Sequence, residues 1–236
     1  GPGGGGYFRG VQQYRAPAVS GSAYPTEGLQ AAYLKGNWHL SGESIDTWYD
    51  SSGNGRDASQ TTALNQPVAS EGLALFYFLS TNRYFKAPIS IYKNCYSSGA
   101  LTVVMRAKKT SYGQYTFSPV ISGVGGGWSY LLNAPFDAVI YYNGTTSQVR
   151  SLTMDYSSIK TIAWMHPGSG NLSCYYNGST YDVGASLSLV NDTSSEFMYV
   201  GFWSAAAFQL QMFVSDILIY NRILSQSELD QIRSMP

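Results

Sequence analysis

The chain has 236 residues, 44% of them hydrophobic and only 12% charged, with Lys+Arg and Asp+Glu balanced at 14 each. That length suits a single all-β domain, and zero formal charge with no basic stripe argues against nucleic acid or an anionic membrane as partner. The longest apolar run, Leu73 to Leu79, is far shorter than the ~20 residues a membrane helix needs, so no membrane insertion is expected.

Residues 1–28 open on GPGGGG and carry little periodicity. Glycine loses more backbone freedom on folding than any other residue. This stretch is expected to be a Gly-rich arm or linker, with Tyr7, Phe8, Tyr14 and Tyr24 as anchors on a neighbouring copy or another subunit. A start at Gly1-Pro2-Gly3, without Met or signal peptide, is the expectation for a processed product or for an excised piece of a longer chain. The domain proper is placed at 29–236. Strand-like segments follow at 30–34, 73–78, 84–86, 101–107, 117–122, 128–132, 136–142, 147–152, 160–166, 171–177, 186–189, 197–203 and 208–220, with turn residues between them. Asn143-Gly144 and Asn177-Gly178 each read as two-residue hairpin turns, which need φ > 0 at both positions. No helix period shows before the C-terminus.

The last segment is the most informative. Phe208, Leu210, Met212 and Val214 alternate with Gln209, Gln211, Phe213 and Ser215, after which the apolar set becomes Ile217 and Ile219. One extra residue at Ser215-Asp216 is the mark of a β-bulge. The run stops at Asn221-Arg222, and Ser225 and Glu228 form the S-x-x-E capping box of a short helix carrying Leu229 and Ile232.

The string SDILIYNRILSQSELDQI resembles the end of laminin-G-like, concanavalin A-like jelly rolls. Trp48-Tyr49-Asp50-Ser51-Ser52-Gly53-Asn54-Gly55-Arg56-Asp57-Ala58 is similar to a turn found in such domains of phage tail, other virion-surface and secreted bacterial proteins. The two motifs bracket most of the chain. The resemblance implies an all-β jelly-roll sandwich with one short C-terminal helix, on a virion surface or otherwise extracellular. Fold alone does not name a ligand.

The residues themselves argue against catalysis. Glucanases of this fold carry their acids as E-x-D-x-E, which sets carboxylates on one face across the scissile bond. No such triplet occurs here. His39 and His166 stand apart from any Cys or acidic cluster and read as satisfied histidines. Asp50, Ser52 and Asn54 mimic half of a calcium loop, but the twelfth place is Thr61 where a bidentate acid is due. An Asx-turn is the expected reading. Asp50 and Asp57 are the residues to which calcium would go, and no other cofactor is implied. Cys95 and Cys174 are the only cysteines. Cys174 is expected to be a buried thiol beside Leu172, with a Cys95–Cys174 disulfide open in an oxidising compartment. Sequons at Asn143, Asn171, Asn177 and Asn191 are glycosylation candidates in a eukaryotic source.

Aromatic residues remain. In the doublets Tyr141/Tyr142, Tyr175/Tyr176 and Phe202/Trp203 one ring must leave the core, because side chains alternate across a strand. Flat rings suit sugar stacking and subunit contacts alike. Trp128, Tyr130 and Tyr141, with Asp137 and Asn143 as hydrogen-bonding partners, are the ligand-site candidates, the alternative being that Trp128 and Tyr141 simply fill the sandwich. The function expected is non-enzymatic: attachment to a glycan or cell-surface receptor and assembly into a virion or fibre. The alternatives are a secreted laminin-G-type adhesion domain and an accessory domain of a larger enzyme.

Overall fold

The computed structural model of the protein describes residues 23–78, 80–111, 117–133 and 136–236. The expected anchors Tyr7, Phe8 and Tyr14 lie outside the described residues. In chain order the elements are β1 (Leu29–Ser41), β2 (Ser44–Asp50), β3 (Ala58–Ser59), β4 (Val68–Ser70), β5 (Leu73–Phe76), β6 (Phe85–Pro88), α1 (Ser90–Ser98), β7 (Ala100–Lys109) and β8 (Phe117–Ser122). They continue with β9 (Ser129–Asn133), β10 (Ala138–Tyr142), β11 (Ser147–Ser151), β12 (Lys160–Pro167), β13 (Leu172–Tyr176), β14 (Ser179–Gly184), β15 (Phe197–Val200), β16 (Phe202–Trp203), β17 (Phe208–Gln209), β18 (Met212–Tyr220) and α2 (Gln226–Arg233).

The pairing is antiparallel and runs as one path, β11-β10-β9-β8-β15-β6-β3-β2-β4-β5-β18-β7-β12-β13-β14. β1 ties its halves together, pairing β18 through Leu29–Tyr33 and β2 through Tyr33–Ser41. The path folds back so that β9 and β10 face β12 and β13. The Trp164 indole on β12 donates to the Leu131 carbonyl on β9 at 3.2 Å. Ile45, Trp48, Phe76, Phe85, Val103, Met105, Val139, Ile162, Trp164, Met198 and Ile219 fill the space between the layers. This is the jelly-roll sandwich that the terminal motifs imply.

β18 shows why its sequence slips phase. Against β7 its register shifts between Val214 and Asp216, and Val214, Ile217 and Ile219 all face the sandwich core. The opposite face is not solvent, however. Leu218 and Tyr220 are buried with Val104, Ala163 and Met165 beneath Leu229 and Ile232 of α2. A strand covered on both sides reads as a continuous apolar run, and β12 (KTIAWMHP) does so for the same reason. The capping box is in place: the Ser225 side chain accepts from the Glu228 N–H, and the Glu228 carboxylate accepts from the Ser225 N–H. Part of the expected arm also docks here. Tyr24 packs on this second cluster, Tyr220 donates to the Pro25 carbonyl at 2.9 Å and Arg222 to that of Glu27 at 2.9 Å.

Several expectations are corrected. The 208–220 segment is two strands: among the described residues β17 pairs only with β16, as an outer hairpin, and Gln209 is buried while Phe208 is half-exposed. Gln209 is satisfied there by the Gly201 and Leu210 carbonyls, at 2.9 and 3.0 Å. A second helix, α1, occupies 90–98. Its residues SIYKNCYSS have weak helix propensity, so packing of Ile91, Tyr92 and Cys95 into the core stabilises it. The Ser98-Gly99 turn is its C-cap, with Gly99 at φ 78. β2 and the edge strand β14 were not legible, and 186–189 forms no strand. Asn177-Gly178 is the expected two-residue turn, φ 43 and 117, joining Tyr176 to Ser179. Asn143-Gly144 belongs instead to a four-residue loop between Tyr142 and Ser147.

Candidate functional site

The rings expected to meet a ligand are inside the protein. Trp128 is 1% exposed, stacks on Tyr92 at 3.8 Å between centroids and donates its indole N–H to Asp192 at 3.0 Å. Tyr130 lies directly across from Tyr141, so both point to the same, inner face. The Tyr130 hydroxyl is 2.8 Å from His166 Nδ1. The Tyr141 hydroxyl accepts from the Met165 N–H at 3.0 Å and donates to the Ser173 carbonyl, bridging the end of the β12–β13 ladder. Asp137 is exposed, accepting from Asn133 at 2.8 Å, but at the far end of the β9–β10 hairpin from Asn143. Five residues of strand separate those ends by roughly 15 Å, so the five candidates do not form one site.

The complementary rings face outward. Tyr142 is half-buried on the outer face, and the β16–β17 hairpin lies over β8 beside it, held by Ser122 Oγ donating to the Phe202 carbonyl at 2.6 Å. Trp203 approaches Tyr142 at 5.1 Å and Phe208 at 5.8 Å, and Phe208 meets Phe117 at 5.0 Å. A separate group of rings joins Phe202, which stacks on Tyr84 at 4.9 Å, to Tyr199 and Phe197, since Phe202 and Trp203 point to opposite faces of β16. Only Phe202 of these rings is fully buried; the rest are half-exposed.

Three loops converge at the Trp203 end. The Gly125 N–H donates to Ser204 Oγ at 3.2 Å, joining the Gly123–Gly127 loop to the hairpin tip. Gly144 sits so close to Gly127 that a Cβ there would lie 2.7 Å from the Gly127 carbonyl oxygen; glycine is required for that approach. Asn143 Oδ1 accepts from the Thr145 and Thr146 N–H groups at 3.2 and 2.9 Å, fixing the third loop. The Trp203 indole nitrogen is buried and has no hydrogen-bond partner among the described residues. The result is a strip of ring faces bordered by hydroxyls and amides, a surface suited to an amphipathic ligand such as a pyranose or a protein side chain. The doublets signalled it; choosing Tyr142 over Tyr141 required the strand phase.

The other candidates are absorbed by structure. Asp50 accepts from the N–H groups of Ala32, Ser52 and Arg56 at 2.9, 2.9 and 3.0 Å and from Ser52 Oγ at 2.7 Å, while Asp57 accepts from the Asp50 N–H at 2.8 Å. This is the turn-holding arrangement, and among the described residues no three His, Cys, Asp or Glu gather as a metal site. Cys95 and Cys174 are free and buried, so Cys174 is the buried thiol expected and the alternative Cys95–Cys174 disulfide is not formed. Burial pushes both thiols up to about 12, so they behave as small apolar groups. His166 is buried with Nε2 2.7 Å from the Leu187 carbonyl, and burial lowers its pKa from 6.5. His39 is exposed and contacts Asp46 at 2.9 Å.

No family model matches the sequence, and no curated protein does. The fold has solved counterparts. Trypanosoma rangeli sialidase in complex with 2,3-difluoro-KDN is similar with a TM-score of 0.59 at 15% identity, over 93% of this chain and 35% of that one. The binding domain of Botulinum neurotoxin DC in complex with SialylT gives 0.59 at 12% identity, over 89% and 52%. The same domain with rat synaptotagmin II gives 0.58 at 12%. This chain thus spans about a third of the sialidase and half of the toxin domain, and at these identities the likeness is one of fold. Among the described residues no helix is long and apolar enough to cross a membrane.

Proposed function

We propose that this domain is a non-enzymatic recognition module that binds a glycan or a cell-surface receptor through the outward ring strip centred on Tyr142 and Trp203. The observation that carries the reading is the convergence of three loops on Trp203, beside rings that the fold leaves half-exposed. Support comes from the toxin binding domain of like fold, which was solved with SialylT and with synaptotagmin II. The sialidases of like fold are enzymes, but they are only about one-third covered, and no acidic triplet of the glucanase kind occurs here. The turn from Trp48 to Ala58, similar to those of virion proteins, favours a virion surface or extracellular fibre as the setting. Copies of the chain would assemble there through residues 1–28.

Glycan-array binding followed by titration calorimetry tests the reading. A buried aromatic anchor is worth ~2 kcal/mol or more, about 30-fold in affinity, so Trp203→Ala and Tyr142→Ala should each weaken binding by that order. Retention of neither glycan nor receptor, or unchanged affinity in both variants, would refute it. Light scattering with and without residues 1–28 tests assembly, and a monomer in both cases overturns that part.

A further inference from the structure

On the other side of the sandwich, away from the ring strip, an open groove of about 700 Å3 is lined by Lys35, Glu71, Gly72, Leu73, Lys108 and the 157–159 stretch Ser157, Ser158, Ile159. Lys108 belongs to the even-numbered face of β7, away from the core residues Val103, Met105 and Ala107. It lies opposite Phe213 of β18, with its ammonium 5.0 Å from that ring's centroid. The ammonium is therefore held against the Phe213 ring at the groove that Lys108 lines. Lys35 also lines the groove, exposed, and forms no ion pair among the described residues.

The groove already shows one occupant for Lys108: the carboxylate of Glu71. That residue is oddly placed. Glu71 and Gly72 are the two central residues of the β4–β5 hairpin, where Ser70 pairs with Leu73, and both have positive φ, 54 and 73. Such turns favour Asn or Gly at both positions, and a residue with a Cβ is disfavoured there. Glu71 is thus a poor turn residue whose side chain, 57% exposed, reaches over to neutralise Lys108. Ion pairs this open are worth little, so the carboxylate is readily exchanged. With Lys35 and Lys108 against Glu71, the groove carries an excess positive charge.

We infer that this groove is a second binding site, for the carboxylate of an acidic saccharide. The ligand's carboxylate takes the place of Glu71's on Lys108, Lys35 supplies the second charge, and Ile159 with the Ser158 hydroxyl meets the sugar ring. The site is separate from the ring strip and does not depend on the function proposed for it.

The sign of one substitution distinguishes this from a neutral-sugar site. If Glu71 is a competing counter-ion, Glu71→Gln should tighten binding of an oligogalacturonate by about 3–10-fold. If instead Glu71 hydrogen-bonds sugar hydroxyls, the same change weakens it. Calorimetric titration of the whole chain with oligogalacturonate, its neutral methyl ester and a sulfated oligosaccharide is the experiment. The expected result is binding of the first, at least 10-fold weaker binding of the ester, loss of affinity with rising salt, and about 10-fold weakening by Lys35→Ala with the melting temperature unchanged. Trp203→Ala should leave this binding intact, which separates failure here from failure of the ring strip. Equal binding of the ester, preference for the sulfated probe, weakening by Glu71→Gln, or no binding at all would each overturn the proposal.

Discussion

Asp216→Ala should be among the most damaging single changes to the fold. The Ser215 bulge turns Asp216 onto the outer face of β18, opposite Arg106 of β7. There its Oδ2 accepts from Arg106 at 2.8 Å, with side chains only 7% and 4% exposed, and from Ser215 Oγ at 2.6 Å. Its Oδ1 accepts from the Lys35 N–H at 3.1 Å. Removing one partner of a buried pair typically destabilises by 3–5 kcal/mol, because the other charge is left uncompensated. Arg106 keeps the Met235 and Pro236 carbonyls as acceptors, which favours the lower end of that range. The orphaned Lys35 and Ser215 donors add about 1 kcal/mol. An overall loss of ~4 kcal/mol in a chain of this size lowers the melting temperature by about 8–16 °C. Replacing both partners with apolar residues, Arg106→Met with Asp216→Leu, should lose much less than Asp216→Ala alone, since no charge is stranded. Thermal and urea unfolding of the three proteins are the assay. A melting temperature for Asp216→Ala within about 2 °C of the parent, or a double variant less stable than the single one, would refute the reasoning.

Gly201→Ala should be destabilised by ~2–5 kcal/mol in urea unfolding: Gly201 has φ +84, and an added Cβ would sit 2.5 Å from two Phe76 ring atoms, combining left-handed strain with overpacking. Because burial lowers the His166 pKa from 6.5, the unfolded chain binds more protons below that value. Stability from this site is therefore complete above pH ~6.5 and falls as pH drops below it, and His166→Gln should flatten the profile just below pH ~6.5. The Asp50 turn is held by protein donors, so the melting temperature should stay within about 2 °C in chelator; a larger fall restored by calcium would show a bound ion.

Local signals carried the elements that local physics determines. The capping box at Ser225 and Glu228, the bulge at Ser215-Asp216 and the Asn177-Gly178 turn each have a short-range cause, and each stands where the sequence places it. α1 failed that test because its helicity comes from three buried residues packed against distant strands. The 208–220 run misled because β17 joins β16 as an outer hairpin while β18 alone enters the sandwich. The pattern of alternation looks the same whichever sheet receives the strand.

The candidate site divides along the same line. Adjacent aromatic residues in a strand dictate that one ring leaves the core, and this much the chain declares by itself, together with the sandwich, its closing helix and its weak charge. Which ring leaves depends on strand phase, on Tyr130 facing Tyr141 across the ladder and on the hairpin that covers β8. Those are long-range facts. Only tertiary structure could bury Trp128 against Tyr92, bring Gly125, Gly144 and Ser204 together around Trp203, and carry Glu71 across to Lys108, because each contact joins residues whose proximity is created by the fold of the two layers and written in no local pattern.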